Sequence, residues 1–212
     1  MKYSFDDQLE QHRLMLFNAK NTPAISRRLN TLGYNGNKLL KGIALMDDVL
    51  HWQSVKNTHY GAQKTATDAL KEDGQVFKKQ YMEHVGLARI AFKEDRGASS
   101  TLEIDNPRQK TLGGWLTQAT TFYGQLAQYT ETMGKYGVSP EAISAAQEQL
   151  QALKTRRDAQ LQRKGEAQDA TEKRNHAMKA LNTWMKEFRQ VARIAMKDDP
   201  QLLETLGIVV KA

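Results

Sequence analysis

Two arginines occupy equivalent places in similar segments, and their chemistry suits anion binding. Arg89 lies in segment 88–95 and Arg193 in segment 192–199, and the two segments share most of their residues. A pair of guanidinium groups can hold a carboxylate or a phosphate through charge-assisted hydrogen bonds. Each arginine also lies near the predicted end of a helix, where a cation complements the helix dipole. We therefore expect structural roles for Arg89 and Arg193, with an anion site as the alternative.

A second group of basic residues lies in the second half of the chain. The chain has 31 Lys and Arg against 24 Asp and Glu, a net charge of +7, which favours contact with polyanions or acidic partners. The densest basic stretch contains Lys154, Arg156, Arg157, Arg163, Lys164, Lys173 and Arg174, interrupted by Asp158, Glu166, Asp169 and Glu172. Such mixing is typical of a solvated helix, whereas DNA-binding helices keep one face free of acids. Binding of nucleic acid or an anionic membrane is therefore an alternative that we do not favour, with Arg157 and Lys164 as its candidate contacts.

The residues do not form a known pattern for a metal centre, a cofactor site or a catalytic group. Cysteine is absent, which excludes thiolate ligands, Cys nucleophiles and disulfides. The Glu-x-x-His pattern of four-helix metal centres and the glycine-rich phosphate-binding patterns do not occur. The nearest constellation, Asp68 and Glu72 over Glu172 and His176, points outward in the helix register described below. We predict a protein that is not an enzyme and that binds no metal or cofactor.

An aromatic face marks the helix that opens the second half of the chain. Trp115, Phe122 and Tyr123 recur at helical spacing among aliphatic residues. Large rings in this pattern are typical of a packed core, which is the interpretation we favour. A groove for a partner helix or an apolar ligand is the alternative, and Trp115, Phe122 and Tyr123 are its candidate partner-binding residues.

The elements that position these residues repeat along the chain. A displacement of 104 positions, without a gap, aligns segment 88–95 with 192–199, Gly33 with Gly137, and Thr101-Leu102-x-Ile104 with Thr205-Leu206-x-Ile208. Agreement over this length indicates a tandem duplication. We expect two repeats, 1–104 and 105–212, which are related by a pseudo-two-fold axis and pack as one domain.

Each repeat consists of a first helix, a glycine-containing turn and a very long helical stretch. A capping box at Ser4 and Asp7 predicts the start of the first helix, which we expect to end near Thr31. In the second repeat the pattern predicts one helix over 112–133, with Gly134 in the left-handed conformation after it.

The long stretches follow a coiled-coil-like spacing. Ser139 and Pro140 supply an N-cap and a proline at the first helical position of the second stretch. Core-register positions then alternate by three and four residues, apolar at both ends and polar in the middle, and His84 takes such a position in the first repeat. We therefore expect His84 to be buried and hydrogen-bonded. Gly61 and Gly165, at the midpoints, leave both an unbroken helix and a helical hairpin open.

Together these features predict an all-α fold, an antiparallel helical bundle or coiled-coil-like rod built from a duplicated helix-turn-long-helix unit. Since no catalytic pattern occurs, we expect a structural or protein-interaction module that binds a protein partner or self-associates. Polyanion binding is the alternative, and a metal- or small-ligand-binding bundle is less favoured. The sequence shows no apolar stretch of signal-peptide or membrane-spanning length, so we expect a cytoplasmic protein.

Overall fold

The computed structural model describes residues 4–209, and in that range it contains helices and no strand. The helices are α1 (Phe5–Asn21), α2 (Pro23–Thr31), α3 (Gly36–Ala91), α4 (Arg96–Thr101), α5 (Leu112–Leu126), α6 (Thr130–Gly134), α7 (Pro140–Ala195) and α8 (Pro200–Thr205). A 3₁₀ turn, Ala127–Tyr129, follows α5. The prediction of an all-α helical bundle is confirmed.

The first predicted helix starts where the sequence indicates but is divided. The Asp7 N–H donates to Ser4 Oγ at 3.1 Å, and the Asp7 carboxylate accepts from the Ser4 N–H, which completes the capping box. The prediction that this helix continues to Thr31 is wrong, because α1 ends before Pro23 and α2 begins there. Proline has no N–H for the helical ladder, and its ring collides with the carbonyl four residues earlier.

The helix predicted over 112–133 is also divided. It breaks at the 3₁₀ turn, where the Tyr129 ring packs edge-on against Phe92 at a centroid distance of 5.0 Å. Gly134 does not adopt the predicted left-handed conformation but is the last residue of α6, and Gly137 has the positive φ of +81° instead. The chain turns at Gly137, three residues later than predicted. The position whose left-handed backbone favours glycine is therefore 137 and not 134.

Both long stretches are unbroken helices. Helix α3 continues through Gly61, and α7 continues through Gly165. Helix α7 begins at Pro140 as predicted, and Ser139 Oγ accepts a hydrogen bond from the Ala142 N–H at 3.2 Å. The interpretation as a helical hairpin is therefore wrong. Gly61 and Gly165 do not end these helices, because a glycine inside a helix lowers its stability without breaking it.

The chain divides into two compact units that do not coincide with the sequence repeats. Unit 1 comprises Met1–His59 and Glu166–Ala212, and unit 2 comprises Tyr60–Gly165. Each unit therefore contains half of each repeat, and the two units consist of segments that correspond under the displacement of 104 positions. The prediction that the two repeats pack as one domain stays a prediction.

Within each unit, part of α3 packs antiparallel to part of α7. In unit 1, Lys38 pairs with Glu187 at 3.1 Å, and Gln53 accepts from Arg174 at 3.3 Å. The core of unit 1 combines these helices with α1, α2 and α8. The core of unit 2 combines the remaining parts of α3 and α7 with α4, α5 and α6. Equivalent helices thus surround each core.

Candidate functional site

An open groove in unit 1 lies between α1 and the C-terminal part of α7. Its volume is about 520 Å³, and segment 207–209 after α8 also lines it. Helix α1 contributes Gln11 and His12, and α7 contributes Asn182, Lys186, Arg189 and Arg193. The four residues of α7 follow one another at intervals of four, three and four, so they lie on one face of the helix.

A hydrogen-bonded chain of three side chains fixes one wall of this groove. His12 Nε2 lies 2.7 Å from Asn182 Oδ1, and Arg189 Nη2 lies 3.2 Å from His12 Nδ1. A guanidinium can only donate, so Nδ1 must accept, and the Nε2–H donates to Asn182. His12 is therefore neutral in this arrangement and orients the Arg189 guanidinium.

The electrostatic surroundings keep His12 neutral. Burial of the ring lowers the pKa of His12, the hydrogen bond with Asn182 opposes that change, and the charge of Arg189 lowers the pKa further. Burial and the neighbouring Arg193 also lower the pKa of Arg189. A guanidinium still keeps its proton at neutral pH, so the charge of Arg189 persists.

The groove carries positive charge without an acidic counterpart. Within residues 4–209, no acidic side chain lines it, and Lys186, Arg189 and Arg193 form no ion pair. Two guanidinium groups and an ammonium group at one wall can bind a carboxylate or phosphate by donating charge-assisted hydrogen bonds to it. Among the described residues that line the groove, no nucleophile is paired with a base.

Unit 2 covers part of the corresponding place with a segment of its own chain. The linker 105–111, between α4 and α5, runs across α3 and α5. Arg89 donates to the carbonyl of Ile104 at 2.7 Å, and the Gln118 amide donates to the carbonyl of Pro107 at 3.1 Å. The Gln118 carbonyl also accepts from the backbone N–H of Gln109 at 2.8 Å. Unit 2 therefore shows how this fold holds an extended backbone.

The linker carries its own cation into unit 2. The Arg108 guanidinium donates to Tyr81 Oη at 2.7 Å, to the carbonyl of Asn106 at 2.9 Å and to the carbonyl of Glu103. In unit 1, helix α7 carries cations at two positions that are apolar in unit 2, because Lys186 and Arg189 stand where unit 2 has Met82 and Val85. In unit 1, these cations favour an occupant with negative charge.

Sequence reasoning found one residue of the groove and missed the others. Arg193, for which anion binding was the alternative to a structural role, lines the groove, whereas its counterpart Arg89 holds backbone carbonyls in unit 2. His12 and Asn182 are far apart in the sequence, and only the fold brings them together. The alignment of the repeats held a signal, since it pairs Arg189 with the apolar Val85.

The other predicted residues lie elsewhere. Phe122 and Tyr123 have no exposed surface and Trp115 is 4% exposed, so all three belong to the core of unit 2. Trp115 also lines a pocket of that unit. Arg157 lines a shallow pocket in unit 2, and Lys164 is exposed.

His84 is buried as expected. Its Nδ1 lies 2.9 Å from the hydroxyl of Tyr123, and the two rings meet edge-on. Burial lowers the pKa of His84, whereas the nearby Glu83 raises it. The pair is enclosed by the core of unit 2, so His84 has a structural place there.

The described part of the chain shows neither a metal-binding cluster nor a membrane-spanning helix. Across residues 4–209, no group of three His, Asp or Glu side chains could hold a metal ion. No helix in that range has the length and apolar character needed to cross a membrane. Comparison with known proteins found no matching family model, no matching curated protein and no matching solved structure.

Proposed function

We propose that this chain is a non-enzymatic protein-interaction module whose basic groove in unit 1 binds an extended, acidic segment of a protein partner. The observation that carries the proposal is the group of three cations, Lys186, Arg189 and Arg193, on one wall of an open groove. These cations have no acidic counterpart among the described residues of the groove. A bound carboxylate would compensate their charge.

The linker of unit 2 supports an extended conformation for the bound segment. That linker crosses the equivalent helices with its backbone held by Arg89 and Gln118. Arg193 is the equivalent of Arg89 and is available for the same contact with a backbone carbonyl or a carboxylate. Because Lys186 and Arg189 replace the apolar Met82 and Val85, an acidic side chain is favoured where the linker of unit 2 has Arg108.

An apolar side chain beside the groove gives the segment a further contact. Leu14 of α1 is 42% exposed and lies beside Gly207, which lines the groove. Exposed apolar residues next to charged ones are typical of sites that bind another protein. We therefore expect the partner segment to combine acidic residues with at least one apolar residue.

A peptide-binding experiment tests the proposal. The probe is a fluorescent peptide with the sequence of 105–111 in which glutamate replaces both the arginine and the lysine, and the control probe keeps the natural linker sequence. Fluorescence anisotropy measures binding to the full chain at several salt concentrations. We expect the acidic peptide to bind and the natural one to bind at least about tenfold more weakly, since each charge-assisted hydrogen bond contributes about 1.5–3 kcal/mol.

Variants of the protein locate the binding. Arg189→Gln and Arg193→Gln should each weaken binding of the acidic peptide about tenfold, whereas Lys41→Gln, at an exposed position of α3 in unit 1, should not change it. Equal binding of both peptides, or no effect of the arginine variants, would overturn the proposal. Tighter binding of a single-stranded oligonucleotide than of the acidic peptide would assign the charge to nucleic acid instead. A concentration-dependent dimer that both arginine variants abolish would assign the groove to a second copy of the chain.

A further inference from the structure

A pocket in unit 2 has an apolar floor and a basic rim. It lies between the C-terminal part of α3 and the start of α5, with a volume of about 480 Å³. Leu70, Leu112 and Trp115 form the floor. Its volume lies in the range of sites that hold small organic ligands.

The pocket exists because position 74 has no side chain. Gly74 lies in the core register of α3, and its equivalent in unit 1 is Met178, which is buried there. A Cβ atom at Gly74 would lie 3.9 Å from Leu112 Cδ1 and from Trp115 Cζ2, which is an ordinary contact. Packing therefore does not require glycine at this position, although glycine weakens a helix. Its effect is to leave space over the edge of Trp115.

Three lysines surround this space. Lys71, Lys78 and Lys110 line the pocket, and no acidic side chain does so within residues 4–209. None of the three forms an ion pair with a described residue, and Lys78 Nζ lies 5.7 Å from the centre of the Trp115 ring. Ammonium groups on flexible stems bind an anionic group as point charges from several directions.

We propose that this pocket binds a small amphiphilic organic anion. The apolar body of the ligand contacts Trp115, Leu70 and Leu112, and its carboxylate, sulfonate or phosphate group lies among the lysines. Apolar contact and charge then act together, so a neutral molecule of the same shape binds more weakly. The site is separate from the groove of unit 1, and each proposal can fail without the other.

The experiment compares two probes of similar shape and different charge. Anilinonaphthalene sulfonate carries the anionic group, and N-phenylnaphthylamine lacks it. The fluorescence of each probe is measured with the full chain, and the Trp115 indole N–H resonance is followed by NMR and assigned with a Trp115→Phe variant. We expect the anion to bind at least about tenfold more tightly and to shift the Trp115 resonance, with little change at Trp52 and Trp184.

Two substitutions at one position separate pocket filling from loss of glycine. Gly74→Met introduces the residue that unit 1 has at this position and should reduce binding of the anion at least about tenfold, while Gly74→Ala should retain it. Both variants should keep the helical circular dichroism of the parent. The double substitution Lys71→Gln and Lys78→Gln should make the affinities for the two probes similar.

The outcomes that oppose the proposal are specific. Unchanged binding in Gly74→Met would show that the anion binds elsewhere, and so would an unshifted Trp115 resonance. Equal affinity for the neutral and the anionic probe in the parent chain would remove the role of the lysines.

Discussion

The two units have equivalent helices but fill their cores with rings at different places. In unit 2 the rings of Phe122 and Tyr123 come from α5, where α1 of unit 1 has Asn18 and Ala19. In unit 1 the Trp184 ring stacks on another ring of α7, whereas the equivalent position of α3 has a glutamine. Both cores are nevertheless closed, since a core tolerates exchange of residues if the total volume and the pattern are retained.

The surfaces of the two units differ in a more consequential way. Unit 2 covers part of the place between α3 and α5 with its own linker, whose Arg108 lies against Tyr81, and leaves a pocket open beside Trp115. Unit 1 leaves the equivalent place open and lines it with cations. The differences in core side chains balance one another in volume inside each unit. The positive charge of the groove, in contrast, has no acidic counterpart among the described residues that line it. The comparison therefore separates residues that maintain the fold from residues that are available for binding.

The largest effect should come from an aromatic residue of the core of unit 2. Phe122 is fully buried and packs against Tyr81 at a centroid distance of 5.6 Å. We expect Phe122→Ala to lower the free energy of unfolding by about 3–5 kcal/mol, because it removes buried contacts and leaves a cavity. Asn18 is the equivalent residue of unit 1. Asn18→Ala should lower the free energy of unfolding by about 1 kcal/mol, because it removes one hydrogen bond to the carbonyl of Thr205.

Urea denaturation followed by circular dichroism measures both variants. A cost below about 1 kcal/mol for Phe122→Ala would contradict its place in the core and would favour the alternative of a partner-binding surface at Trp115, Phe122 and Tyr123.

A smaller effect should come from a close approach in unit 1. A Cβ atom at Gly42 would lie 2.6 Å from Trp184 Cη2 and 2.9 Å from Leu16 Cδ2. The Trp184 ring stacks on Phe188 at 5.4 Å, so it cannot shift freely. We expect Gly42→Ala to destabilise the protein by about 1–3 kcal/mol.

The same substitution elsewhere in α3 is the control. Gly61→Ala meets no atom within 4 Å and should stabilise the protein by about 0.5–1 kcal/mol, because alanine favours the helix. Unit 2 has alanine and glutamine at the positions equivalent to Gly42 and Trp184. In a double-mutant cycle, Trp184→Gln should therefore remove most of the cost of Gly42→Ala. Additive costs would show that the ring is not the obstacle.

Local signals in the sequence predicted the helix starts correctly and some helix ends incorrectly. The capping box at Ser4 and the proline at position 140 were predicted because each depends on a few neighbouring residues. The break at Pro23 was missed although its signal is equally local. The division into units could not be read from the repeats, because antiparallel packing of α3 and α7 joins the first half of one repeat to the second half of the other.

The candidate site was less predictable than the fold. Arg193 was identified through its repeated segment, but His12 and Arg189 meet only because α1 packs beside α7. A periodic pattern indicates which face of a helix is buried, and it does not indicate which polar residue of another helix lies opposite. Among the signals in the sequence, comparison of the two repeats position by position points most directly to the groove residues, because it pairs Arg189 with the apolar Val85.

The smallest predicted effect concerns the two buried histidines. His12 in unit 1 and His84 in unit 2 both have a pKa below the ordinary value of 6.5, mainly because of burial. As the pH falls through 6.5, the unfolded chain binds protons that the native histidines do not accept, so the free energy of unfolding decreases. Stability from this source is complete above that pH. The free energy of unfolding can fall by at most about 1.4 kcal/mol per histidine for each pH unit. At His12 the loss should be smaller than this limit, because the groove admits solvent.

The two histidines should contribute unequally to this loss. Arg189 opposes protonation of His12, whereas Glu83 favours protonation of His84. Urea denaturation at pH 7.5 and pH 5.5 should therefore show a smaller loss of stability in His12→Leu, which introduces the residue of unit 2, than in the parent chain. His84→Phe, which introduces the residue of unit 1, should reduce the loss less. A larger reduction in His84→Phe would contradict this order and would mean that the charge of Arg189 adds little to the effect of burial at His12.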